Sequence, residues 1–389
     1  MAEFHPDHEA VRNVIASEPK LADPVHPELK KLPPPHLHWL WRIGIGVVGL
    51  IVVLFLTFAI GYMRFSWQKS WLLIPAKLVP FPVAIIGGHW ISYYDYQSDV
   101  PNIESFLQRN ETPDAAASRK IDENTYTRKV ILNKDVGEAI LDTIAAQQKV
   151  TVSSQDIQTT YDQYVQQSGN ATDVAQYIRT LYNWSVDQFK LKLIRPQVVQ
   201  DKLAQQFYNQ AKQALTTIRD QVAATPSTFA DVAKKESQDS ATAGKGGAVD
   251  AMTTAQLETA YSTSTATGST TSTTDTTPAK TIEAMKVGDI SPVLSTSLGY
   301  EVVMLVKKGA APKKADGTMY TISRIVKQPD FNTWLSDKVN TQATKDHVFL
   351  FEPRFRWEAA CGILAKSEPS CSASTTTNTN TSASTNVNS

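Results

Sequence analysis

Residues able to do acid–base or metal chemistry are few in this chain, and they are unevenly spread. Five of the seven histidines (His5, His8, His26, His36 and His38) fall in the first 38 residues, among prolines and charges. Grouped imidazoles suggest a metal. No ligand-spaced pair recurs on a predicted helix, so a polar, disordered arm is expected over 1–38. The other two are His89 and His347, and no histidine lies from Trp90 to Asp346. The only cysteines, Cys361 and Cys371, make neither a CxxC nor a metal pattern. They leave two states open: a local disulfide outside the cytoplasm, or unpaired thiols. Neither a metal nor a cofactor is expected.

Lysine plus arginine (38) balance aspartate plus glutamate (38), and the charges are interspersed, so no basic stripe argues for nucleic acid. The run IGIGVVGLIVVLFLTFAIGY, 43–62, carries no charge. As a helix rising about 1.5 Å per residue it spans a hydrocarbon core of about 30 Å. Trp39, Trp41 and Arg42 before it, and Tyr62, Arg64 and Trp67 after it, are the belts expected at two interfaces. A single-pass signal anchor over 39–65 is predicted, because the leader is long and no small-x-small cleavage site follows. Lys30, Lys31 and Arg42 favour an inside N-terminus, which places the rest outside the cytoplasm.

Beyond the anchor, Pro80 and Pro82 keep the chain extended, and Gly87-Gly88 makes a turn. Helical periodicity follows at 93–109, 126–148, a stretch capped by Ser153 or Ser154, and 173–182. Ser185 with Gln188 reads as a capping box opening a long helix, which Pro196 should kink. Together 78–207 reads as an all-α domain. Ser262 to Thr281 is too rich in Ser and Thr to pack, and reads as an inserted flexible loop. Asp316-Gly317 signals a hairpin between EVVMLVKK and TMYTISRIVKQ. A C-terminal docking segment (329–371), to which Phe349, Phe351, Phe355 and Trp357 belong, and a disordered tail (372–389) complete the chain.

Two resemblances give these pieces an order. PVAIIGGHWIS, KVTVSSQDIQTTYDQY and LYNWSVDQFKLKLIRPQVVQDKL resemble, in sequence, the opening strand, the helix start and the linker helix of the SurA-like chaperone domain. TFADVAKKESQDSATAGKGGAVDAMTTAQL and EAMKVGDISPVLSTSLGYEVVMLV resemble the two halves of the parvulin (PpiC-type) peptidyl-prolyl isomerase pattern. The implied fold is α+β: a transmembrane helix, an all-α SurA-like domain, then a parvulin-like antiparallel sheet with surrounding helices over 208–328. The family's first strand has no counterpart before the helix at 207–222. Met319 to Val326 is expected to fill its slot, pairing antiparallel with Glu301–Val306.

Uncatalysed X–Pro isomerisation takes tens of seconds or more. A catalyst must grip the prolyl ring and favour the twisted amide over the planar one. The resemblance implies an apolar cup at Leu257 and Tyr261, an acid position at Asp239, and a hydroxyl at Ser295 or Thr296. The family's two histidines are replaced by Glu301 and Arg324, which are expected to pair across neighbouring strands. Three readings follow. The first is a membrane-anchored folding factor that binds unfolded or newly exported polypeptides while isomerase activity is weak or lost. The second is an isomerase using the cup and Asp239, and the third a non-catalytic envelope scaffold.

Overall fold

The computed structural model describes residues 47–54, 56–57, 60–61, 77, 81–262, 277–310, 317–358 and 361–370. The arm at 1–38, most of the insertion, Asp316, Cys371 and the tail lie outside them, as do parts of the 43–62 run. The described parts of that run are helical, and Val48, Leu50, Ile51, Val53 and Ile60 are exposed. Among the described residues no helix is long and apolar enough to cross a membrane. The chain divides into two units, 1–54 and 55–389, and the strands and sheets belong to the second.

Strand β1 (Pro82–Ile86) and β2 (His89–Ser92) form a hairpin. Its two-residue turn, Gly87-Gly88, has φ of +52° and +89°, the pair of positive angles that favours glycine. Helices α1 (Tyr93–Asn110), α2 (Pro113–Ala117), α3 (Glu123–Gln147), α4 (Ser154–Ser168), α5 (Ala171–Tyr182) and α6 (Val186–Phe189) follow. Reciprocal caps fix two starts, Ser153 with Asp156 and Ser185 with Gln188. A π-helical turn, Lys190–Ile194, leads into the 30-residue α7 (Arg195–Ala224). It explains Pro196. The wider turn is the local adjustment at which the imino acid enters as an early residue of a new helix, where its missing N–H costs nothing.

The expectation of an all-α domain over 78–207 is corrected. Its core is closed by β1 and β2 and by the C-terminal segment: α11 (Phe331–Lys345) and strand β7 (Val348–Leu350), which pairs antiparallel with β1. The hairpin of β8 (Phe355–Glu358) and β9 (Gly362–Ala365) packs on α3. Phe355, Ile363 and Phe331 join Ile131, Leu132 and Tyr96 in one apolar core. Phe355 and Phe351 dock as expected, whereas Phe349 is exposed. Cys361 is disulfide-bonded.

Between these pieces lies the second layer of the chain. After α7 come α8 (Phe229–Glu236), β3 (Met252–Thr253), α9 (Thr254–Ala260), α10 (Pro278–Ala284), β4 (Leu294–Thr296), β5 (Gly299–Ala310) and β6 (Thr318–Lys327). Residues 278–281, read as loop, are the first turn of α10, capped by Thr277 with Pro278 at its start. The four-stranded sheet has the order β3-β6-β5-β4, with every neighbour antiparallel. Strand β6 pairs with β5 along nearly its whole length, as the 319–326 expectation required. One sheet face packs Val302, Tyr300 and Ile325 against Phe229, Leu215 and Val222 of α7 and α8. The other packs Val303, Leu305, Tyr320 and Ile322 against Leu257, Tyr261 and Ile282.

Candidate functional site: a buried polar network under helix α9

Strand alternation sets Glu301 on the same face as Val303 and Leu305, and Arg324 on the face of Tyr320 and Ile322. In register, Arg324 lies opposite Val303 and Glu301 opposite Val326, so the two are diagonal neighbours on one face. The expected Glu301–Arg324 ion pair does not form. The Arg324 guanidinium turns to Asp239, donating from Nε at 3.0 Å and from Nη2 at 2.8 Å to one carboxylate oxygen. Asp239 is presented just beyond the C-terminus of α8, where Ser237 holds the sheet: its Oγ accepts from the Val326 N–H at 3.1 Å. The Thr242 hydroxyl and the Ala241 N–H also donate to Asp239. Thr242 escaped the sequence reading. Its signal was a hydroxyl three residues after the Asp, the spacing at which it can reach back to that side chain.

Glu301 is satisfied differently. The Tyr261 hydroxyl donates to it at 3.1 Å and the Thr296 hydroxyl donates to its other oxygen. Tyr261 also lies beside Arg324, near enough for the guanidinium to act on its hydroxyl. The structure thus joins Asp239, Arg324, Tyr261, Glu301 and Thr296 in one chain of contacts. Leu257 packs beside Tyr261 in the same core. Ser295, half-buried on β4 opposite Tyr300, makes no hydrogen bond through its side chain among the described residues.

Burial decides what this arrangement can do. Leu257 is 0% exposed, Tyr261 2%, Glu301 1% and Thr296 2%. Leu257 and Tyr261 are core residues, packed against Val303, Leu305 and Ile322 on this face of the sheet. Asp239 and Arg324 reach the surface only slightly.

Burial pushes the Glu301 carboxyl up, and hydrogen bonds from Thr296 and Tyr261 and the Arg324 charge only partly offset it. Burial also opposes ionisation of Asp239, but bonds from Thr242 and Arg324, with the charge of Arg324, hold its carboxyl below the usual range. Because Glu301 holds its proton more tightly folded than unfolded, its ionisation subtracts stability as pH rises from the ordinary carboxylate range through its raised folded value. Glu301→Gln should abolish this component. The difference in urea midpoint between pH 5 and pH 7.5 is expected to move toward higher stability at pH 7.5 in the variant relative to the parent.

Glycines complete the frame. Gly247 has φ of +81°, and its carbonyl accepts from the Arg324 N–H at 2.8 Å. Ser291 accepts from the Val303 N–H at 2.9 Å and its own N–H donates to the Val303 carbonyl at 2.8 Å, stitching the segment before β4 to β5.

Residues 193–307 match the family model of the rotamase, PPIC-type PPIASE domain. Residues 40–204 match that of the SurA-like N-terminal domain. The two matches support a parvulin-type PpiC protein with a SurA-like N-terminal domain. No curated protein matches the chain. The rotamase match takes in Asp239, Leu257, Tyr261, Thr296 and Glu301 and ends before β6, so Arg324 lies past it. These two domain matches support a folding factor of the parvulin family.

Proposed function

We propose that this PpiC-type chain is a membrane-anchored, extracytoplasmic folding factor that binds unfolded or newly exported polypeptides, with prolyl isomerisation weak or lost. The observation that carries this reading is the filled interior under α9. Where the family resemblance implies an apolar cup and an imidazole network, Tyr261, Glu301 and Thr296 are buried and the tyrosine and threonine hydroxyls both bond to Glu301. A twisted prolyl amide gains nothing from groups it cannot touch.

The strand order supports the permuted-strand reading, with β6 in the central position left vacant by the missing first strand. The uncharged run at 43–62 supports a single-pass anchor with the N-terminus inside. The disulfide at Cys361 supports an oxidising compartment for the C-terminal part. Tethering raises local concentration, so weak binding of emerging chains suffices.

The test uses the full chain in detergent micelles. Aggregation of a proline-free client should be suppressed at near-stoichiometric ratios, while X–Pro isomerisation of a short peptide stays at its background rate. Fast isomerisation would favour the active-enzyme reading. Loss of both activities would leave the scaffold reading.

A further inference from the structure

Helix α7 carries a second feature, away from the buried network. A surface cavity of about 450 Å3 lies between α7 and the segment joining α3 to α4, where Val150 and Thr151 form its far wall. The α7 side is lined by Lys202, Gln205, Gln206, Asn209, Gln210 and Gln213. Lys202 is already engaged, donating to Asp156 at 2.6 Å and to the Thr151 carbonyl at 3.1 Å. Gln206 donates to the Gln148 carbonyl at 3.0 Å, fixing the helix to that wall. The side chains of Gln205, Asn209, Gln210 and Gln213 make no hydrogen bond among the described residues, and all four are exposed.

The chemistry of this lining is narrow. With its one cation paired, it offers no free charge for an anion. It has no carboxylate for a metal and no aromatic plate for a sugar ring. What remains is a set of neutral amides, each with two donors and an acceptor. Gln205, Asn209 and Gln213 recur every four residues, so they climb one ridge of the helix at about 6 Å per step. An extended polypeptide presents peptide groups on one side every two residues, about 6.6–6.8 Å apart. The two repeats differ by less than 1 Å, within the reach of flexible glutamine stems.

We infer that this amide ridge of α7 is a binding site for the backbone of an extended, unfolded polypeptide, read without regard to its side chains. The inference rests on the polypeptide-binding reading above and names its site. Each amide pairs with an N–H and a C=O of the client, as an added strand would, at a small net gain per bond.

The experiment measures anisotropy of a fluorescent, reduced and carboxymethylated polypeptide with the full chain in micelles. The variant Gln205→Ala/Asn209→Ala/Gln213→Ala changes three exposed positions to a stronger helix former, so the fold should be kept, which circular dichroism checks. Its affinity should fall about tenfold or more. A peptide N-methylated at alternate residues should bind the parent chain at least as poorly, while scrambling the peptide sequence should change little. Unchanged affinity in the triple variant, indifference to N-methylation, or capture of a soluble glycan polymer in place of peptide would overturn the site. If the parent binds no unfolded polypeptide at all, the functional reading itself falls with it.

Discussion

Replacing Gly247 by alanine should unravel the sheet that holds the buried network. A Cβ built there would sit 2.3 Å from the Arg324 carbonyl oxygen and 3.0 Å from the Arg324 nitrogen. Both are backbone atoms of β6, a strand held between β3 and β5, so neither can step aside. The φ of +81° adds strain for any L side chain. Together these should cost at least about 3 kcal/mol. The readout is urea unfolding alongside hydrogen exchange at the Arg324 amide, which donates to Gly247. Gly244→Ala is the control, since a Cβ there meets nothing within 4 Å, and it should leave both measurements near the parent's. Equal behaviour of the two variants would remove Gly247 from the frame of the site.

Arg324→Met should have the second-largest effect. It keeps the aliphatic stem and removes the guanidinium, leaving Asp239 to Thr242 and Ala241 alone and Glu301 without its nearby positive charge. The Arg324 and Asp239 side chains are 17% and 11% exposed, so water can replace little of what is lost. Breaking such a pair from one side costs about 3 kcal/mol. Adding Asp239→Asn should recover part of it, because the stranded charge then disappears; simple additivity would contradict the coupling. The effect also has a pH signature. Asp239 has its carboxyl pKa depressed, so its contribution is present above the ordinary value of 3.8 and fades as pH falls through the lower folded value. The gap in stability between parent and Arg324→Met should therefore narrow below about pH 3.8.

Much of the frame was legible because it rests on local rules. Ser185 announced its helix through Gln188 three positions on, Ser153 or Ser154 announced another as a cap, and Gly87-Gly88 announced a turn. The pairing of β5 with β6 followed from two β-rich runs around a turn signal. What stayed hidden depended on distant parts of the chain. Nothing near Pro82–Ile86 says that Val348–Leu350, more than 250 residues later, will become its second neighbour. Hence a domain read as all-α acquired a sheet. The site residues were found by their places in a pattern, and five of them do meet. Their partners could not be read that way. Glu301 and Arg324 are diagonal, not opposite, and Asp239 competes for the guanidinium from the end of α8. Whether Leu257 and Tyr261 face solvent or core is set by how α9 and α10 close over the sheet, which no local spacing reports.

On the function proposed above, the interior under α9 is occupied by its own side chains and offers no seat for a prolyl ring. Exchange NMR tests it most directly, with a short Ala-Pro peptide whose cis and trans signals are resolved, in the presence of an equimolar amount of the full chain. The cis–trans exchange rate should equal that of the peptide alone. An acceleration of tenfold or more, abolished by Asp239→Asn or by Leu257→Ala, would contradict the account and place a working cup where the structure has a filled core.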